Sequence, residues 1–225
     1  MSRTALLFDL DGTLIDSVYQ HVLAWKEALD AEGVELSVWR IHRKVGMSGG
    51  LFTHILLRET GLEITEERLE RLRIRHAEAF NRYHAQHAVR ALPGARELLA
   101  HLTAQRMPWA IATSGRMETA AHNLAALGVD PEKVPVVTRD MVRHAKPDPD
   151  LFIAAADRLG VDIQHSLVIG DSVWDMLAAQ RARTLGVGLL SGGYGQDELE
   201  RAGAFRVYED PADLLRHIDE IVARE

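Results

Sequence analysis

The chain opens on a short apolar run, Leu6-Leu7-Phe8, that stops at two carboxylates, Asp9 and Asp11. From Asp16 to Gln86 the pattern turns helical and strongly charged, with no convincing β run. Val18, Val22, Trp25 and Leu29 recur at three- and four-residue steps and predict one amphipathic helix, with His21 on its flank. Leu69, Leu72, His76, Phe80 and Tyr83 predict a second, running to about Tyr83. Between them Val45-Gly46-Met47-Ser48-Gly49-Gly50 reads as a loop or hinge.

From Ala95 the pattern alternates. Helices are predicted at Arg96–Leu102, Met117–Leu127, Asp150–Leu159, Trp174–Arg181 and Pro211–Ala223. Interleaved strands are predicted at Trp109–Thr113, Val134–Thr138, Leu167–Ile169, Leu185–Leu189 and Ala204–Tyr208. Short apolar strands alternating with helices imply an α/β fold whose parallel sheet is covered on both faces, a Rossmann-like core. The first strand belongs to that sheet. Residues 1–15 and 88–225 are therefore expected to form the core, and residues 16–87 a small helical domain inserted after its first strand.

Composition narrows the class. With 225 residues, 47% hydrophobic and 26% charged, the chain buries a real core and matches a globular protein. A net charge of −7 argues against nucleic acid or an anionic membrane as partner. The absence of cysteine excludes disulfides and thiolate chemistry and suits the cytoplasm. No N-terminal apolar run is long enough for a signal peptide or a membrane span. The state expected is monomer or homodimer.

Four polar clusters end predicted strands. Asp9 and Asp11, two residues apart, can converge beyond the first strand, where open α/β sheets place ligands; a polar Asp-Gly turn is the plainer alternative. Clustered acids there call for a hard cation such as Mg²⁺. Thr113-Ser114-Gly115 offers hydroxyls and backbone N–H groups to an anion, or a helix cap at Ser114. In Lys146-Pro147-Asp148-Pro149, Asp148 with Pro149 reads as a helix start, whereas Lys146 stands outside it as a fixed positive charge. Gly170-Asp171 and Asp175 repeat the pattern of the first cluster, with a helix cap and a first-turn acid as their local explanations. A parallel sheet brings all four to one rim.

Taken together, Asp9-Leu10-Asp11-Gly12-Thr13, Thr113, Lys146 and Gly170-Asp171 with Asp175 resemble the four motifs of the haloacid dehalogenase superfamily. The likeness is to its phosphatase-like members with a helical cap, the phosphoglycolate phosphatase and β-phosphoglucomutase subgroup. It implies Mg²⁺-dependent hydrolysis of a small phosphomonoester, of sugar or glycolate type, through an aspartyl-phosphate. Asp9 would be the nucleophile and Asp11 the general acid and base, its pKa raised by neighbouring carboxylates. The ion would be held by Asp9, the Asp11 carbonyl and Asp171, with Asp175 holding a metal water or Lys146. Gly12, Thr113, Ser114 and Lys146 would bind the phosphate. His21, Trp25 and Ser48 would face the rest of a small phosphorylated metabolite. In β-phosphoglucomutases an arginine follows the Ser48-like position, where this chain has Gly49, so hydrolysis is favoured over mutase action. Gly193-Tyr194-Gly195 reads only as a turn-rich loop, and His84 and His87 as surface residues on one helical face.

Overall fold

The structure is a computed structural model and describes residues 4–62 and 65–222. Strand β1 (Ala5–Phe8) leads into four helices, α1 (Val18–Ala31), α2 (Val38–His42), α3 (Gly49–Thr60) and α4 (Glu66–Gln86). The chain then runs through α5 (Ala95–Ala104), β2 (Trp109–Ala112), α6 (Met117–Leu127), β3 (Val136–Val137) and α7 (Asp150–Leu159). It finishes with β4 (Ser166–Gly170), α8 (Val173–Ala182), β5 (Leu185–Leu189), α9 (Gln196–Arg201), β6 (Ala204–Tyr208) and α10 (Pro211–Arg216).

The strands form one sheet in the order β3-β2-β1-β4-β5-β6. Every neighbouring pair is parallel, and Leu7 stands opposite Ala110 on one side and Val168 on the other. The two-residue period of extended chain splits β1 between two cores. Leu6 and Phe8 pack with Leu98 and Leu102 of α5 and Leu124 of α6. Leu7 packs with Leu151 and Phe152 of α7 and Ala178 of α8. Each of these leucine and phenylalanine side chains is enclosed, and its burial contributes about 1.5–3 kcal/mol. The sheet is thereby fixed with β1 at its centre and its carboxyl end pointing at the site.

The helices α1 to α4 enclose an apolar cluster of their own, which includes Val22, Leu29, Ile41, Leu56 and Leu72. The chain enters and leaves them at one place: the Asp16 N–H donates to the Arg90 carbonyl and the Leu92 N–H to the Leu14 carbonyl, both at 2.9 Å. Ile15 and Ala91 form an antiparallel bridge between the two crossings.

Several local expectations are corrected. The strand expected at Val134–Thr138 is two residues long, because Pro135 has no N–H for the ladder and Thr138 opens a 3₁₀ turn. Asp148 does not cap α7; Pro149 precedes the helix, while Asp148 pairs with Arg181 at 2.9 Å. The loop read through Gly50 ends at Ser48, whose hydroxyl accepts from the Leu51 N–H and starts α3 two residues earlier. The last helix stops at Arg216, where His217 turns its ring back onto the Asp213 carbonyl, and Ala223 lies outside the described residues. Among the described residues no helix is long and apolar enough to cross a membrane.

Candidate active site

β1 places Asp9 directly. The Asp9 N–H donates to the Ile169 carbonyl of β4 at 2.9 Å, so the ladder carries one residue past the strand and its side chain leaves at the rim. The chain then reverses at Gly12, whose φ of +85° suits glycine and whose added Cβ would lie 2.5 Å from Asp171 Oδ2. Thr13 follows and donates to Asp171 Oδ1 at 2.8 Å. Gly192, after β5, leaves room for the same carboxylate: a Cβ there would fall 1.7 Å from Asp171 Oδ2. Lys146, fully enclosed, reaches in from the loop before α7 and forms ion pairs with Asp9 and, at 2.8 Å, with Asp175. The other oxygen of Asp175 accepts from the Ser172 N–H at 3.1 Å and hydroxyl at 2.6 Å, which ties it to the first turn of α8. Ser172, not Asp171, is thus the residue that caps this helix.

Asp9, Asp171 and Asp175 each offer an oxygen within 4.8 Å of the others. Three buried carboxylates face one lysine. Burial pushes the Asp9 carboxyl up to about 7, with Lys146 opposing the shift and Asp175 and Asp11 adding to it. Burial, Asp175 and Asp9 likewise hold Asp171 well above the usual carboxylate range. Burial works against the charge on Lys146, but Asp175 and Asp9 override it and raise its pKa. An excess of buried negative charge on oxygen donors alone fits a hard divalent cation.

Asp11 behaves differently from its neighbours. Burial would raise its pKa, yet His21, the Ser17 hydroxyl and Lys146 outweigh it and hold the carboxyl below its usual range. The expected upward shift is therefore reversed, because hydrogen-bond donors and positive charge crowd Asp11 more closely than the other acids do. Ser17 Oγ donates to its Oδ1 at 2.5 Å and Asn123 Nδ2 at 2.7 Å, with His21 Nε2 at 3.4 Å.

A cavity of about 360 Å³ opens over these groups between the sheet rim and helices α1 to α4. Asp9, Asp11, Asp171, Thr113, Ser114, His21 and Trp25 all line it. Gly12, Ser48, Lys146 and Asp175 do not. Gly12 packs against Asp171, Lys146 and Asp175 lie behind Asp9, and the Ser48 side chain caps α3 instead of facing the cavity. Ser114 does not cap α6; its hydroxyl donates to the Gly46 carbonyl at 2.9 Å and pins the loop before α3 to the rim.

A family profile described as haloacid dehalogenase-like hydrolase matches residues 4–183. The chain belongs to that family. Hexitol phosphatase A of Escherichia coli is 34% identical to it over 186 residues, 81% of each chain. Phosphoglycolate phosphatase of Rhodospirillum rubrum is 29% identical over 214 residues, 93% of this chain and 88% of that one. A crystal structure of a hydrolase from Pseudomonas syringae is 60% identical and superposes with a TM-score of 0.95, covering 98% of this chain and all of that one.

Against this haloacid dehalogenase-like frame, three lining groups stand out that the sequence did not mark. His76 of α4 stacks on Trp25 with ring centroids 4.1 Å apart and meets His21 Nδ1 at 3.2 Å. Tyr194, read only as part of a turn, is buried beside the cavity and donates its hydroxyl to the Arg43 carbonyl at 2.9 Å. Its aromatic ring between two glycines was the available signal. His42 ends α2 and contacts the Gly192 carbonyl at 2.8 Å. His84 is half-buried, 5.0 Å from the His122 ring, while His87 is exposed past the end of α4.

Proposed function

We propose that the protein is a Mg²⁺-dependent phosphatase of the cytoplasm that hydrolyses a small organic phosphomonoester, of sugar or glycolate type, through an aspartyl-phosphate. The observation that carries this reading is the meeting of Asp9, Asp171 and Asp175, with Lys146 paired to the first and last of them, beneath a cavity that Asp9, Asp11 and Asp171 line. The names of the curated relatives, a hexitol phosphatase and a phosphoglycolate phosphatase, support the substrate class.

An Asp9 oxygen forms a bond to phosphorus while the ester P–O bond breaks, its electron pair going to the leaving oxygen. Asp11 gives that oxygen a proton, and in the second half takes one from the water that displaces Asp9. The donors on Asp11 favour its ionised form, the form the water step needs; the dianionic ester arriving beside it promotes protonation for the first step. Lys146 holds the Asp9 carboxylate in line and charged. The Thr113 hydroxyl and the Ser114 N–H receive phosphate oxygens. Asp9, Asp171 and the Asp11 carbonyl would hold Mg²⁺, whose charge offsets the repulsion between an anionic nucleophile and an anionic ester. Residues 16–87 act as a cap that excludes water and, through His21 and Trp25, contacts the organic part of the substrate.

A phosphosugar mutase is the second reading, on one observation. Gly49 removes the loop arginine, but Arg73 of α4 lines the cavity, and its guanidinium lies 3.4 Å from where a Cβ on Gly50 would be. Arg73 is paired with Glu70 at 3.2 Å, so a second phosphate would share its guanidinium with that carboxylate. Phosphate release from a panel of small esters, expected to need Mg²⁺ and to vanish in Asp9→Asn, tests the first reading. Activity surviving that change removes Asp9 as nucleophile, and conversion of a sugar 1-phosphate to the 6-phosphate without phosphate release favours the second.

A further inference from the structure

A carboxyl group that hands a proton to a leaving oxygen must present one of its two oxygens. On Asp11 one is already taken. Oδ1 accepts from Ser17 Oγ at 2.5 Å and Asn123 Nδ2 at 2.7 Å, and His21 Nε2 lies 3.4 Å away. Among the described residues Oδ2 accepts only from the hydroxyl of Thr113, a residue that lines the cavity, at a loose 3.5 Å. Ser17 and His21 approach from the chain entering the inserted helices and from α1, whereas Asn123 approaches from α6, 112 residues away.

Asn123 is the unexpected member. It is 1% exposed and sits among Ala120, Leu124 and Leu127 on the buried face of α6, where an apolar side chain would pack without cost. Its own Oδ1 is buried with no hydrogen-bond partner. A residue kept only for packing would not leave a polar atom stranded there, so the amide is explained by what its nitrogen holds.

We propose that Asn123 is a positioning residue: with Ser17 it anchors Oδ1 of Asp11 and so turns Oδ2 toward the leaving-group oxygen. The proposal rests on the phosphatase reading above. In the first half of the reaction the proton on Oδ2 passes to the leaving oxygen as the P–O bond breaks, and the negative charge left on Asp11 is spread onto Oδ1, where the two donors already point. Losing the anchor frees the carboxyl to rotate and misplaces the proton, while the Asp9 side of the reaction is untouched.

The test compares kcat/KM for Mg²⁺-loaded wild type, Asn123→Leu and Ser17→Ala across monoesters from a simple alkyl phosphate, whose leaving oxygen needs a proton, to p-nitrophenyl phosphate, whose leaving oxygen does not. Each variant is expected to lose about 10- to 100-fold on the alkyl ester and less than about threefold on the aryl ester, giving a steeper dependence on leaving-group pKa. A merely structural role, or a smaller folded fraction, lowers every substrate by one factor; that outcome overturns the inference. If Asn123→Leu does not fold, Ser17→Ala decides by the same ratio. Asp9-dependent phosphate release with an unchanged slope removes this inference and leaves the phosphatase reading standing, whereas a wild type that releases no phosphate from any ester removes both.

Discussion

Replacing Lys146 with methionine keeps all but the last atom's length of the side chain and removes the cation that touches both Asp9 and Asp175. All three side chains are almost wholly buried, so water does little to screen the charges left behind. Removing one partner of a buried ion pair costs about 3–5 kcal/mol. For a chain of this size each kcal/mol lowers Tm by roughly 2–4 °C, so a fall of roughly 6–20 °C is expected. The loss has a pH signature. Asp9 has a folded-state pKa of about 7 against 3.8 for a free side chain even with Lys146 present, and without the lysine it rises further. A carboxyl raised on folding binds more protons in the folded state, so its contribution falls as pH climbs from the unfolded pKa through the folded one. The deficit of Lys146→Met that comes through Asp9 is therefore small near pH 5, where Asp9 is protonated in both folded proteins, and opens by up to about 1.4 kcal/mol per pH unit above about pH 7, so it is plain by about pH 9. Millimolar Mg²⁺ returns part of it by supplying positive charge to the same oxygens. Urea unfolding followed by circular dichroism, at both pH values with EDTA or Mg²⁺, reads all of this. A deficit below about 1 kcal/mol at the higher pH in EDTA, or one equal at both pH values, refutes the reasoning.

Three further outcomes are expected. Gly192→Ala puts a methyl 1.7 Å from the present position of Asp171 Oδ2 and must displace that carboxylate; Mg²⁺ affinity by calorimetry should weaken at least about tenfold while the circular dichroism spectrum is retained. His76 has its pKa held well below the ordinary histidine value by burial and by His21, with Asp11 opposing. Below about pH 6.5 the unfolded chain binds a proton that the folded one refuses, so wild type should lose up to about 1.4 kcal/mol per pH unit relative to His76→Phe, measured as ΔG of unfolding against pH. Phe152→Ala empties a fully buried site between α7 and the sheet, where its ring lies 5.2 Å from the Lys146 ammonium, and should cost about 3–5 kcal/mol by urea unfolding.

The parallel sheet was legible because each strand is a short apolar run and because carboxylates or hydroxyls interrupt those runs at the same end. Asp9, Thr113 and Asp171 could be assigned to one rim on that ground alone. The edge strand β3 is shorter than its apolar run; Val134 and Pro135 look like strand, although only a neighbour in space decides whether the ladder needs the donor that Pro135 lacks. The Asp11 environment was misread for a related reason. Counting acids in the motifs predicted repulsion, but the groups that set its state, Ser17, His21 and Asn123, come from elements with no motif of their own. A polar residue on the apolar stripe Ala120, Leu124, Leu127 was the visible trace of Asn123. The helices α2 and α3 lay hidden in a charged stretch whose apolar positions are divided among several short segments.

The two chain crossings beside Ile15 and Ala91 run antiparallel and are stitched by hydrogen bonds from Asp16 and Leu92. Because the ends of the insert meet at a single stitched seam, whatever is spliced there hangs from the sheet like a tool from a fixed handle. Loops of other lengths or bundles of other helices could be exchanged through that seam without moving the strand that carries Asp9. The position of Asp9 is thus set on one side of the seam alone, whereas Asp11, touched by His21 of α1, and Ser114, bonded to Gly46, answer to both sides.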